Sequence, residues 1–154
     1  MSKVERFEDL KIWQLARELC QIIHKLTIKD QFARDFKLVG QINGSSGSIM
    51  DNIAEGFERD GNKEFIQFLT FSKGSCGETR SQLYRALDFR YITQEEFDAA
   101  YKMTVEESKM LKSFIPYLKD SGLKGNRFNI QNHRDQTWNL EFETWNLLHK
   151  EQPI

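Results

Sequence analysis

The side chains best placed to do chemistry are Asp51, Asn52, Glu55 and Glu78. Asp51 and Glu55 lie one helical turn apart, so a helix presents both carboxylates on one side. Carboxylates turned into a helical bundle bind pairs of metal ions, but such sites also use Glu-x-x-His motifs. The residues three before His24, His133 and His149 are Gln21, Ile130 and Asn146, so the motif is missing. No Ser–His–Asp or Cys–His set can be nominated either. His24 stands alone in a helical pattern, and the other two histidines lie in the C-terminal region. The expectation is a protein that is not an enzyme, with no metal and no cofactor. Asn52, Glu55 and Glu78 are then read as polar links between helices or subunits, a use that specifies register more than it adds stability.

A phosphate-binding loop is the other chemistry to weigh, at GQINGSSGSIMDNIAEGF, residues 40–57. Its first nine residues hold three glycines and three serines. A P-loop follows a strand and ends in Lys and then Ser or Thr. Here Ser48 and Ile49 follow Gly47, and no strand pattern precedes them. A flexible linker suits GSSGS in composition. Against it, Leu38, Ile42, Ser45, Ile49 and Ile53 keep helical steps through the whole stretch. Gly40, Gly44 and Ser48 lie four apart on a neighbouring row. Each glycine costs a helix about 1 kcal/mol relative to alanine. That cost predicts a close neighbour. The segment SKGSCGET, residues 72–79, is similarly thin, so Gly44 and Gly74 are expected where two helices approach backbone to backbone.

The elements that position these residues are helices. The chain has two prolines, Pro116 and Pro153, and no alternating strand pattern of any length. Ile12, Ala16, Leu19, Ile23 and Leu26 step by four and three, the spacing of one buried stripe. Phe65, Phe68, Ser72, Cys76, Thr79, Leu83 and Ala86 repeat the rhythm. So do Phe97, Tyr101, Thr104, Ser108, Leu111, Ile115 and Leu118. Thr93 and Glu96 have capping-box spacing at the start of that last run. The expected fold is all-α, an antiparallel four-helix bundle over residues 1–119. Its helices fall at about 8–27, 36–57, 62–89 and 94–119.

Residues 120–154 form an extension with a short aromatic helix or strand near 137–149. Trp138, Phe142 and Trp145 step by four and three there. They need cover from this bundle, a sister subunit or another protein, and tryptophan is a favoured interface anchor.

A chain of 154 residues buries one core, and 39% apolar with 29% charged residues is globular composition. No apolar run approaches the ~18 residues of a membrane span, and the charged start MSKVERFEDLKIWQ lacks a signal core. Cys20 and Cys76 have no CxxC spacing and read as reduced thiols of a cytoplasmic protein. Net charge is −1, and residues 1–119 carry 18 basic and 18 acidic side chains, unlike a strongly basic nucleic-acid binder. A local cluster still suffices for phosphate contact. Arg59, Lys63, Lys73, Arg80 and Arg85 follow one another along the third helix and its start. The fourth helix carries Glu95, Glu96, Asp98, Glu106 and Glu107. The competing reading is a solvated face with i,i+4 pairs such as Glu55 with Arg59.

One set of motifs runs through most of the chain: FEDLKIWQLA, then QI, SIMDNIAEGFER, EFIQFL, KGSCGE, RAL and YIT. With them the chain resembles the four-helix-bundle family of 23S rRNA intervening-sequence proteins, over about residues 7–119. The accessory variability determinant of diversity-generating retroelements is similar to that family. The resemblance implies a ring of five subunits that binds nucleic acid and works beside a reverse transcriptase or another nucleic-acid enzyme. Two functions follow as expectations. One is a homo-oligomeric adaptor for RNA or DNA. The other is a protein-interaction module that docks through its aromatic extension and binds no nucleic acid.

Overall fold

The computed structural model describes residues 3–59, 61–120 and 128–129. Four helices carry it: α1 Lys11–Thr27, α2 Phe36–Glu58, α3 Asn62–Asp88 and α4 Gln94–Asp120. Each packs on its chain neighbours, and α1 closes the bundle against α4. The pairing is antiparallel. Ser45 of α2 meets Thr79 and Gln82 of α3, whereas Ile49 meets Ser72. Tyr84 of α3 touches Phe97 and Tyr101 of α4, whereas Phe65 touches Phe114. The short connections at 28–35, 59–61 and 89–93 suit such an up-and-down bundle.

The core is the one that the apolar stripes require. Ile12, Ala16, Leu19, Ile23 and Leu26 are buried, as are Leu38, Ile42, Ile49 and Ile53 of α2. From α3 come Phe65, Leu69, Cys76, Leu83 and Ala86. From α4 come Phe97, Ala100, Met103, Leu111 and Leu118. On the fourth stripe Tyr101, Ser108 and Ile115 are only half-buried, and Glu107, beside Ser108, turns fully inward. Glu107 and Ser108 lie on flanks of the same stripe, so periodicity alone does not separate them.

The helix ends are fixed by side chains. Thr93 and Glu96 form the expected capping box, with Thr93 N–H donating to Glu96 at 3.0 Å and Glu96 N–H donating to Thr93 Oγ1 at 3.1 Å. Asp35 caps α2 by accepting from Leu38 N–H at 3.0 Å, and the Tyr91 hydroxyl donates to its other oxygen at 3.1 Å. The α3 C-terminus ends in a Schellman motif. Tyr91 N–H reaches Ala86 O and Arg90 N–H reaches Leu87 O, both at 2.9 Å. Arg90 holds the left-handed position at φ 59°, a place that glycine usually takes. Phe7–Asp9 forms a 3-10 turn and Leu10 is extended, so α1 begins at Lys11 rather than near residue 8. Two two-residue strands, β1 Lys3–Val4 and β2 Phe128–Asn129, pair antiparallel, which no sequence pattern announced.

The close approach of α2 and α3 is real, but it is built from other residues than Gly44 and Gly74. A Cβ added at Gly40, Gly44 or Gly74 meets open space. All three lie on exposed rows. The seam is made by Ser45, Ser72 and Thr79, which are buried and are small enough to let the backbones near. Ser72 Oγ donates to Ile49 O at 2.8 Å, and Ser45 donates to Gln82 while lying 2.9 Å from Thr79 Oγ1. Hydroxyls on the buried row satisfy each other across the seam, whereas glycines one row away pack nothing. The glycine that does face α3 is Gly56, where an added Cβ would lie 2.6 Å from Phe68 Cβ and 2.9 Å from a Phe65 ring carbon.

Opposite stability effects are therefore expected from two identical substitutions. Gly56→Ala must displace Phe68 and is expected to destabilise by roughly 1–3 kcal/mol. Gly44→Ala meets nothing in the chain and is expected to stabilise by up to about 1 kcal/mol. Chemical denaturation of the two variants measures both, and equal signs would refute the packing described.

Candidate functional site

The five basic residues of the expected nucleic-acid track do not form one row. Arg59 lies just past α2, pairs with Glu55 at 2.7 Å and sits 5.3 Å over the Phe68 ring. Lys63 is exposed in the first turn of α3, and Lys73 is exposed at its middle. Arg80 shares the Lys73 face, two turns on, and points to α4, its guanidinium 3.5 Å from the Thr104 carbonyl. Arg85 points the other way, donating to Gln41 of α2 at 3.0 Å. The cations thus divide between two sides of α3.

The expected polar links do not cross between helices of one chain. Asn52 Nδ2 donates to Ser48 O of its own helix at 2.7 Å. Glu55 is engaged by Arg59, one turn away, as the alternative reading held. Glu78 is exposed and accepts from Gln82 Nε2 at 3.4 Å. The reason is placement: Glu55 and Glu78 stand on outer rows, where water serves a carboxylate better than a partner helix. The aromatic residues Trp138, Phe142 and Trp145 lie outside the described residues.

The ionisable group that sequence reasoning passed over is Glu107. It is 0% exposed, and neither carboxyl oxygen has a hydrogen-bond partner. Burial pushes its pKa well above the usual carboxylate range. Two free thiols lie on either side of it, on α1 and α3. Cys20 donates to Ser46 O at 3.1 Å, and burial pushes the thiol up to about 11. Burial, with the nearby Glu107 carboxyl, also pushes Cys76 up. Both sulfurs therefore stay protonated near neutral pH and are weak nucleophiles. Among the described residues, no three His, Cys, Asp or Glu side chains are placed to hold a metal ion. None of the helices is long and apolar enough to cross a membrane. The one hint of Glu107 in the sequence is the ambiguity between positions 107 and 108 on the α4 stripe.

The sign of the Glu107 effect on stability follows from its raised pKa. A carboxyl that is harder to ionise in the folded state favours folding most below its unfolded pKa, about 4.3. That advantage is lost as pH rises toward the folded value. Glu107→Gln removes the titration. The variant is expected to gain stability over the parent as pH rises from about 4.5 to 7. Thermal melts of both proteins across that range test it, and parallel pH profiles would count against a buried, unpaired carboxyl.

Comparison with known proteins bears on the fold and on the family. The model of the 23S rRNA-intervening sequence protein family matches residues 8–113. A crystal structure from Bacteroides thetaiotaomicron, of a protein with unknown function from the S23 ribosomal protein family, superposes with a TM-score of 0.62. The two share 26% sequence identity over 68% of this chain and 97% of that one. No curated protein sequence matches. The NIAEG and GSCGE blocks that carry the sequence resemblance lie on α2 and α3, within the matched span. With a family match over more than half its length and a bundle shared with a solved relative, this chain belongs to the 23S rRNA-intervening sequence protein family.

Proposed function

We propose that this protein is a non-enzymatic, homo-oligomeric adaptor that associates with nucleic acid. The observation that carries the reading is the disposition of its cations. Arg34, Lys37, Lys63, Lys73 and Arg90 are exposed and make no ion pair with a described residue. Exposed acids stand among them, Asp51, Glu55, Glu58, Glu64 and Glu78 on α2 and α3 and Glu95 and Asp98 on α4. A formally neutral bundle still offers local clusters such as Arg34, Lys37 and Arg90 to phosphates. The family's link to an rRNA sequence favours nucleic acid as the partner.

Self-association is supported by what the single chain leaves uncovered. Phe71 and Tyr84 are exposed on α3, and Gly40 and Gly44 leave room against α2 that no described residue fills. Five subunits is the number that the sequence resemblance implies. A ring would repeat each weak cluster of charge and multiply its effect.

Two measurements test the reading. Sedimentation at micromolar concentration is expected to give an oligomer, and a stable monomer would refute that part. RNA and DNA binding is expected to weaken steeply between about 50 and 200 mM salt. Lys63→Glu with Lys73→Glu should lower the slope of log affinity against log salt by about two and leave the mass unchanged. No binding even at low salt would leave the protein-interaction reading in its place.

A further inference from the structure

We propose that the end of the bundle formed by the α1–α2 and α3–α4 connections is a platform for single-stranded nucleic acid. Phe36 and Phe89 act there as stacking surfaces for bases, and Arg34, Lys37, Arg85 and Arg90 meet the phosphates. The proposal rests on the nucleic-acid reading above and gives it a place and a substrate class.

Phe36, the first residue of α2, is 83% exposed, and Phe89, capping α3, is 53% exposed. Both are held beside the same small framework. The Tyr91 ring lies 5.7 Å from Phe89 and 5.2 Å from buried Phe32, and its hydroxyl donates to Asp35, the neighbour of Phe36. Two outward phenyl rings at fixed stations cost solubility and add nothing to the core. Every base has a face that stacks on such a ring, without regard to sequence. A duplex buries those faces, so the platform selects single strands.

The charges complete the fit. Arg34, Lys37 and Arg90 are exposed without an acidic partner, and Arg85 is engaged only by neutral Gln41. Of the nearby acids, Asp35 is occupied by Leu38 N–H and Tyr91, and Glu96 by Lys29 and Thr93. Asp30, Asp88, Glu95 and Asp98 are also exposed at this end, so Arg34, Lys37, Arg85 and Arg90 act as a local cluster beside the rings and not as a net excess of charge.

Arg90 supplies an independent argument. It sits at the left-handed position of a Schellman motif, where glycine is the unstrained choice. A strained arginine in an exposed turn serves the fold worse than glycine would. The platform gives the guanidinium a role outside the chain that glycine lacks.

The test uses the full chain with a labelled uridine oligomer, a single strand that forms no duplex, and with duplex RNA of the same length. Phe36→Ala with Phe89→Ala is expected to weaken single-strand binding roughly five- to hundredfold per stacked base lost. Duplex binding should change less than about twofold, the loss expected of one neutral contact at most. Arg90→Gly is the control for folding. It should melt at the same temperature or higher, yet weaken binding and reduce the salt slope by about one. If the unaltered protein binds nucleic acid and neither variant weakens single-strand binding, the platform is wrong and the broader reading survives. If the unaltered protein binds no nucleic acid, both fall. If Phe36→Ala with Phe89→Ala changes the sedimenting mass, the rings form a subunit interface and the proposal is overturned.

Discussion

The rest of this structure depends on how closely α2 and α3 approach. A bundle of long helices is held at about 8–10 Å between axes by the side chains at each crossing. Here Gly56 admits Phe65 and Phe68 at one end of the pair. Serines and a threonine keep the middle thin, with Ser45, Ser72 and Thr79 satisfied across or within the seam. Each such bond contributes only about 1 kcal/mol net, but a buried hydroxyl without one costs 1–3 kcal/mol. The seam therefore acts through register: Ser72 finds Ile49 O, and Ser45 finds Gln82, in one alignment of the helices.

That alignment decides where every other group goes. It sets the angle at which α3 offers Arg80 to α4 and Arg85 to α2, and so divides the basic residues into two groups. It leaves Gly40 and Gly44 facing outward. It also closes the core around Glu107, a carboxyl whose charge has no partner inside. An unpaired buried acid is normally removed by selection for stability, or is retained because it is used. In this bundle it sits among thiols and aliphatic side chains that favour its neutral form.

The two ends of the bundle are built differently. At the end holding the α1–α2 connection, Asp35, Tyr91 and the Schellman turn make a rigid polar frame. Exposed phenylalanines and arginines stand on that frame. At the opposite end, Phe57, Phe65 and Phe114 pack edge to face. Edge-to-face pairs gain about 0.5–1.5 kcal/mol beyond area burial, so that end serves the core. Aromatic rings pack at both ends, and at the α1–α2 end Phe36 and Phe89 also stand exposed.

The four stripes and the capping box at Thr93 and Glu96 were legible in the sequence, because each is a local pattern. Helical spacing decides which residues share a face, and a cap needs only residues three apart. The family was legible too, through the blocks around NIAEG and GSCGE. Tertiary structure alone decided which of two adjacent rows turned inward. Glu107 went in beside Ser108, and the approach expected at Gly44 and Gly74 was made by Ser45, already on the expected stripe, with Ser72 and Thr79. The physical reason is angular. Neighbouring residues on a helix differ by about 100°, so a stripe is known only to within its own width. Which edge of that width meets a partner is set by the crossing of helices far apart in the chain. For the candidate surface, the antiparallel order that puts Phe36 and Phe89 at one end was legible, whereas their exposure and the Asp35–Tyr91 contact beside them depend on packing between segments far apart in the chain.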